Sequence, residues 1–390
     1  MLSRKPAWCA RDYLVIKSEV LDAAPLPRDS LASAAGGPIR SGVTTGDRLD
    51  IEQPEALLAY LQASGRIGPD ERPGFRPLTG GVSSRVVLVE RRPPGPDWVL
   101  KQALRKLRVA VDWFSSPERM RREAVALRWM AELAPPASVP TLLWQEPDEH
   151  LLAMTAIPQP HTNWKLALLQ GRGLEHATAF GGLLGTIHRR AWERREELGP
   201  IFSDRSFFES LRLEPYYQYT ATRVPDASPF LEALIADTVG RSETLVHGDY
   251  SPKNILVHDG RLVVLDHEVA HFGDPAFDVG FSTTHLLSKA NHLPMLRGAF
   301  VRAAEDSWRT YRREVDGTEL GRGLEARAVR HTLACLLARV EGRSPLEYLD
   351  EPARRRQRRA VLALMAAPPQ GMPALGAAWL ERLRELDVTH

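Results

Sequence analysis

The chain has 390 residues, 43% of them hydrophobic, with 51 Lys and Arg against 49 Asp and Glu, a formal net charge of +2. This composition excludes a disordered chain, is large enough for more than one core-bearing unit, and carries no electrostatic footprint for nucleic acid. Two cysteines, Cys9 and Cys335, cannot build a disulfide framework or a metal site of the usual spacing, and no apolar run of about eighteen residues could span a membrane, so a cytoplasmic protein is expected.

In chain order, residues 1–48 mix Pro, Gly, Ala and Ser with scattered charges and read as a flexible extension. Ile51, Leu57, Leu58 and Leu61 lie at helical spacing, with Gly65 as a stop. A strand-rich block follows: Phe75–Thr79, the turn Gly80-Gly81-Val82-Ser83-Ser84, Arg85–Glu90, a break at Pro93-Pro94-Gly95-Pro96, and Asp97–Gln102. A helix is expected over Pro117–Leu133, capped by Ser116, then strands at Thr141–Gln145 and His150–Ile157. Beyond Pro158 the pattern is helical, with one β interruption at Leu245-Val246, Ile255–Val257 and Leu262–Leu265. The expectation is an α+β chain: extension 1–48, a β-rich lobe over 49–157, and a helical lobe with a β-hairpin over 158–390. The run Arg354–Arg359 has no interleaved aromatics and reads as a solvated helix face.

The chemistry-bearing stretch is His247-Gly248-Asp249-Tyr250-Ser251-Pro252-Lys253-Asn254, followed by Leu265-Asp266-His267-Glu268. Phosphoryl transfer needs a carboxylate facing the attacking hydroxyl and hard oxygen ligands for magnesium. Asp249 follows a short strand, Asn254 lies across a tight turn, and Asp266 ends the strand that returns beside it, so their oxygens can converge. Glu268, two residues on in an extended run, points to the same side as Asp266 and can hold a second magnesium.

His-Gly-Asp with Asn five residues after the Asp, and a further Asp twelve residues after that, resembles the aminoglycoside phosphotransferase, choline kinase and methylthioribose kinase superfamily over roughly residues 70–285. The resemblance implies the bilobal protein-kinase-like fold, with a small β-rich N-lobe and a large mostly helical C-lobe. It implies ATP and Mg2+, Asp249 as catalytic base, and Asn254 and Asp266 as metal ligands. It also implies that Lys101 reaches the phosphates and is held by Glu123, which shares the inward face of its helix with Met120, Leu127 and Met130. Gly80, Gly81, Ser83 and Ser84 would cover the phosphates through backbone N–H groups. Met154, Thr155 and Ile157 would meet the adenine. His247 and Asp278 are expected as scaffold.

Some features depart from the protein kinases. Ser251 stands two residues after the expected base where those enzymes have lysine, Asp266-His267-Glu268 replaces Asp-Phe-Gly, and Asp266 to Asp278 is too short for an activation loop. The expected partner is therefore a small hydroxylated molecule, with no peptide, nucleic acid or membrane. Residues 207–217 and 337–345 are the candidate acceptor lining. Arg339 and Arg343 there suit an anionic metabolite better than a polycationic aminoglycoside. A catalytically silent pseudokinase is the alternative, disfavoured by the intact set Lys101, Glu123, Asp249, Asn254 and Asp266.

Overall fold

Alternation along three strands builds the N-terminal sheet. Val87 and Val89 on β2 (Ser84–Glu90), Trp98 and Leu100 on β3 (Trp98–Ala103), and Leu151 and Ala153 on β5 (Leu151–Thr155) all point to one face. There they bury against Ile51, Leu57 and Leu61, the last two on α1 (Pro54–Ala63). The other face packs Ala103, Leu152 and Met154 on Met120, Ala124 and Leu127 of α2 (Arg119–Leu133). With β1 (Gly74–Pro77) and β4 (Leu142–Glu146) the sheet is antiparallel throughout, in the order β1-β2-β3-β5-β4. These elements belong to a computed structural model that describes residues 49–78, 83–91, 95–108 and 114–388. The expected extension 1–48, the turn glycines Gly80 and Gly81, and Pro93-Pro94 lie outside the described residues.

Two expectations about this part are corrected. The α2 helix begins at Arg119, two residues later than expected, because Ser116 and Pro117 are spent on a preceding turn. In that turn the Ser116 hydroxyl accepts from the Glu118 N–H (3.3 Å) and the Pro117 carbonyl from the Met120 N–H (3.1 Å). The connector bends away from β5 at Thr155, whose N–H is held by the Thr141 carbonyl (2.9 Å).

From residue 158 onward the chain is mainly helical. The α4 helix (Ala177–Glu193) lies against the helix Arg297–Val315 so closely that a Cβ at Gly181 would stand 1.9 Å from the Ser307 carbonyl oxygen. No other residue fits there. The helix Ala276–His292 is buried along almost its whole length, packed against Leu324–Glu341. The expected hairpin is part of a larger arrangement. The β6 strand (His161–Asn163) joins β8 (Ile255–His258) and β9 (Arg261–Val264) in one sheet, and β7 (Thr244–Val246) pairs with β10 (His271–Gly273) in another. At three residues each, β6 and β10 are too short for periodicity to signal them; their partners define them. Among the described residues no helix is long and apolar enough to cross a membrane.

Candidate active site

The loop after β7 is held from beneath by one carboxylate. Asp278, at the start of the helix Ala276–His292, accepts the His247 N–H (2.6 Å) and the Gly248 N–H (2.9 Å), and lies 3.2 Å from His188 Nε2. Burial alone would raise the Asp278 pKa; the His188 contact and these donors outweigh it, and it falls below the usual value. Gly248 has φ +77, and a Cβ there would sit 2.9 Å from Val269 Cγ1, so the turn requires glycine. His247 Nδ1 accepts the Asp249 N–H (3.1 Å), which leaves Nε2 to donate to the Leu265 carbonyl (3.2 Å). Burial lowers its pKa, so His247 is a neutral hydrogen-bonded strut, as expected.

Asp249, 7% exposed, is oriented by two donors on one oxygen: Asn254 Nδ2 at 2.8 Å and the Arg212 guanidinium at 3.0 Å. Asn254 Nδ2 also donates to the Asp249 carbonyl (3.0 Å), so its Oδ1 is the atom left for a cation. Arg212 is fixed in turn by the Gly248 carbonyl (2.6 Å). It projects from Glu209–Gln218, wound as a π-helix around Pro215, whose missing N–H suits the wider turn.

Facing this loop is a knot of buried charge. Lys101 Nζ, on the α2 face of β3, lies 2.7 Å from Glu123, 2.7 Å from Asp266 and 3.8 Å from Glu268. Burial opposes the charge on Lys101, but the three carboxylates outweigh it and raise its pKa. Burial likewise opposes ionisation of Asp266, yet Lys101 and Lys253 keep its carboxyl well below the usual range. Glu123 is buried deepest, and burial pushes it up to about 7 against the pull of Lys101. Glu268 accepts from Ser83 Oγ (3.1 Å) and from the fully buried Arg119 (3.2 Å). Arg119 is tied to the Leu104 carbonyl (2.9 Å) and the Ser116 carbonyl (3.0 Å). The run from Asp266 to Glu268 is not extended as expected: Asp266 has φ +67, and this local turn carries both side chains to Lys101.

The knot and the loop are adjacent because the Leu265 N–H donates to the Asn254 carbonyl (2.9 Å). Carboxylate oxygens of Glu123, Asp266 and Glu268 lie within 4.8 Å of one another. They form a hard, oxygen-only donor set of the kind magnesium takes, with Asn254 Oδ1 a further oxygen on the adjoining loop. To take a cation, Glu268 would exchange its contact with Arg119 or Ser83.

Most of the expected residues are therefore gathered: Lys101, Glu123, Asp249, Asn254, Asp266 and Glu268, with Ser83 touching Glu268. Ser84 is not; its Oγ is buried on β2 without a hydrogen-bond partner among the described residues. Met154 lies at the end of β5 and is packed in the core beside α2, with Thr155 and Ile157 at the bend that follows. Gly80 and Gly81 lie outside the described residues. Sequence reasoning missed two charges. Arg119 had a signal, four residues before Glu123 on the same helix face. Arg212 was placed only in the acceptor lining; nothing local marks its contact with Asp249.

Residues 74–316 match the model of the phosphotransferase enzyme family. Methylthioribose kinase of Pectobacterium carotovorum subsp. carotovorum is 28% identical over 224 residues, covering 51% of this chain and 56% of that kinase. Methylthioribose kinase of Pectobacterium atrosepticum is 27% identical over the same share. The chain thus spans about half the length of the curated relatives it matches. Among solved structures, macrolide 2'-phosphotransferase of Brachybacterium faecium is similar with a TM-score of 0.44 at 21% identity, covering 83% of this chain and 97% of that one. A choline/ethanolamine kinase family protein of Mesorhizobium loti has a TM-score of 0.46 at 18% identity, with 85% and 94% covered.

Proposed function

The chain belongs to the phosphotransferase enzyme family, and we propose that it moves the γ-phosphate of ATP, in a magnesium-dependent reaction, to a hydroxyl of a small anionic metabolite. The observation that carries this reading is the convergence of Asp249 and Asn254 with Lys101, Glu123 and Asp266 at one cleft, with all but Asp266 buried.

In this reading residues 49–157 bind the nucleotide and residues 158–390 supply the catalytic loop and the acceptor site. The adenine lies at the connector, against Met154, Thr155 and Ile157, and Lys101 turns from the carboxylates to the phosphates while Glu123 keeps hold of it. Asn254 Oδ1 and Asp266 hold magnesium, with Glu268 as a further oxygen donor. The ion neutralises charge on the phosphates when bound. Asp249 accepts a hydrogen bond from the acceptor hydroxyl and aims its oxygen at the γ-phosphorus. As the new P–O bond forms and the bond to the β,γ-bridging oxygen breaks, ADP leaves and the hydroxyl proton passes to Asp249. In a loose transition state this proton moves late, so Asn254 and Arg212 matter mainly for orientation.

The test is magnesium-dependent ADP formation against a panel of hydroxylated metabolites, with Asp249→Asn run beside the wild type. Acceptor-dependent turnover that the variant loses is the expected result. Nucleotide binding with no turnover on any acceptor, identical in both proteins, would replace this reading with a pseudokinase.

A further inference from the structure

Arg212 also adjoins a second set of buried charges, for which nucleotide chemistry has no use. Arg212 and Arg339 lie against the same two rings. The Arg212 guanidinium is 5.9 Å from the Tyr216 centroid and 6.0 Å from that of Phe281; for Arg339 the distances are 4.9 Å and 5.4 Å. Arg339 therefore shares one aromatic pair with the arginine that orients Asp249. Arg339 is 8% exposed and donates to the Ser344 carbonyl (2.8 Å), with a second nitrogen 3.3 Å from His285 Nε2. Its Nε is buried with no hydrogen-bond partner among the described residues.

Lys289, fully buried, donates to the His285 carbonyl (3.2 Å) and lies 5.3 Å from the Tyr348 ring. Lys165, 7% exposed, pairs with Glu347. The α3 helix (Trp164–Leu169) packs on the turn Pro252–Asn254, with Asn163 Nδ2 donating to the Lys253 carbonyl (2.7 Å). Lys165 thus stands beside the catalytic loop. Among the described residues no carboxylate forms an ion pair with Lys289 or Arg339. Glu347, half-exposed on the loop 342–350, is the acid paired within the group.

Such an arrangement is costly. An isolated buried cation either finds a partner or loses its proton. Burial, with Lys165 and Arg339 close by, brings the Lys289 pKa down to about 7, and burial with the same cations holds His285 neutral. Apolar residues of similar volume would stabilise the fold more. Unpaired charge kept beside a reaction centre marks a binding site.

We propose that Arg339, Lys165 and Lys289 receive an oxyanion of the acceptor, a carboxylate or a phosphate, while Asp249 faces its hydroxyl. The proposal rests on the phosphotransferase reading of Asp249. Arg339 supplies a planar fork for two oxygens, and the two lysines supply point charges. The Glu347 carboxylate occupies this position on Lys165 until the acceptor replaces it. Cationic acceptors such as aminoalcohols or aminoglycosides are repelled by the same charges.

Binding and turnover are measured separately. The full chain, with AMP-PNP and magnesium filling the nucleotide site, is titrated calorimetrically with inorganic phosphate, glycerate and choline at fixed ionic strength. Wild type binds phosphate, glycerate or both, and not choline; which anion binds distinguishes the two sources. Arg339→Met weakens that binding about tenfold or more, as does Lys165→Gln should the first variant not fold. Glu347→Gln, which keeps the size and hydrogen-bonding oxygen of the loop side chain, tightens it. The proposal is overturned if neither anion binds, if choline binds instead, or if anion affinity is the same in wild type and Glu347→Gln. Anion binding that follows these variants without Asp249-dependent turnover of any acceptor would sink the kinase reading and leave the anion site standing. Asp249-dependent turnover of a neutral or cationic acceptor, with KM unmoved by Glu347→Gln, would do the reverse.

Discussion

Two buried charge clusters lie near Asp249, one balanced and one not. Around Lys101, three carboxylates meet Lys101 itself, Arg119 on Glu268 and Lys253 acting on Asp266. Around Arg339, three buried basic side chains have one paired carboxylate among the described residues, Glu347 on Lys165. Only the second is short of counter-charge, which a protein interior penalises. In the proposed function the first cluster serves the nucleotide and its metal, and the second the anionic group of the acceptor. Asp249, held by neutral Asn254 and by Arg212, stands at the boundary.

The comparison breaks most completely at its centre. Asp249→Asn keeps the shape but removes the proton acceptor, and kcat is expected to fall about 10²- to 10⁴-fold with nucleotide affinity retained. A variant within threefold of wild type would refute the assignment. Next is Lys101→Met, which leaves Glu123 buried and uncompensated. Chemical denaturation should show a loss of about 3–5 kcal/mol. A loss below about 1 kcal/mol would mean that the acidic cluster is not under tension.

A pH titration sharpens the opposite side. Lys289 has a pKa near 7 in the fold against its ordinary 10.5, so between those values the unfolded chain binds more protons and stability rises with pH. The slope is at most about 1.4 kcal/mol per pH unit. Lys289→Met should remove that slope and be more stable than wild type below pH 7, read from urea midpoints. His271 and His331, brought down to about 4 by burial, give both proteins the same loss of stability as pH falls from the ordinary 6.5 toward 4. Unchanged slopes above pH 7 would show that Lys289 is not strained. The smallest effect is expected just outside the cluster: Arg343→Ala removes a half-exposed pair with Glu214 (2.7 Å) and should cost under about 1 kcal/mol.

The two clusters were unequally legible in the sequence. Spacing within one loop and one strand end brought Asp249, Asn254 and Asp266 together, because six to twenty residues of chain leave few ways to arrange them. Lys101 and Glu123 followed from strand alternation and a helix face. The face that buries Glu123 also buries Arg119, whose pairing with Glu268 across 149 residues no local pattern encodes. On the cationic side, Arg339 and Arg343 looked alike on paper. Both lie over a tyrosine ring, and only ion pairing separates them: Arg343 meets Glu214, Arg339 no carboxylate among the described residues. Lys165 and Lys289 carried no signal, since lysines on helices are ordinarily solvated. The start of α2 was misplaced for a local reason, as a Ser-Pro pair serves a turn as readily as a helix cap.

The helix Ala276–His292 carries Asp278, Phe281, His285 and Lys289 along one stripe. One end holds the backbone under Asp249; the other, about 16 Å away at 1.5 Å per residue, carries a cation of the acceptor-side cluster. A buried helix does not stretch, so in the proposed function it would act as a molecular ruler. An acceptor would be chosen by the span between its hydroxyl and its anionic group as much as by either group alone. Across a homologous series of hydroxy acids, kcat/KM would then peak at one chain length and fall on both sides of it.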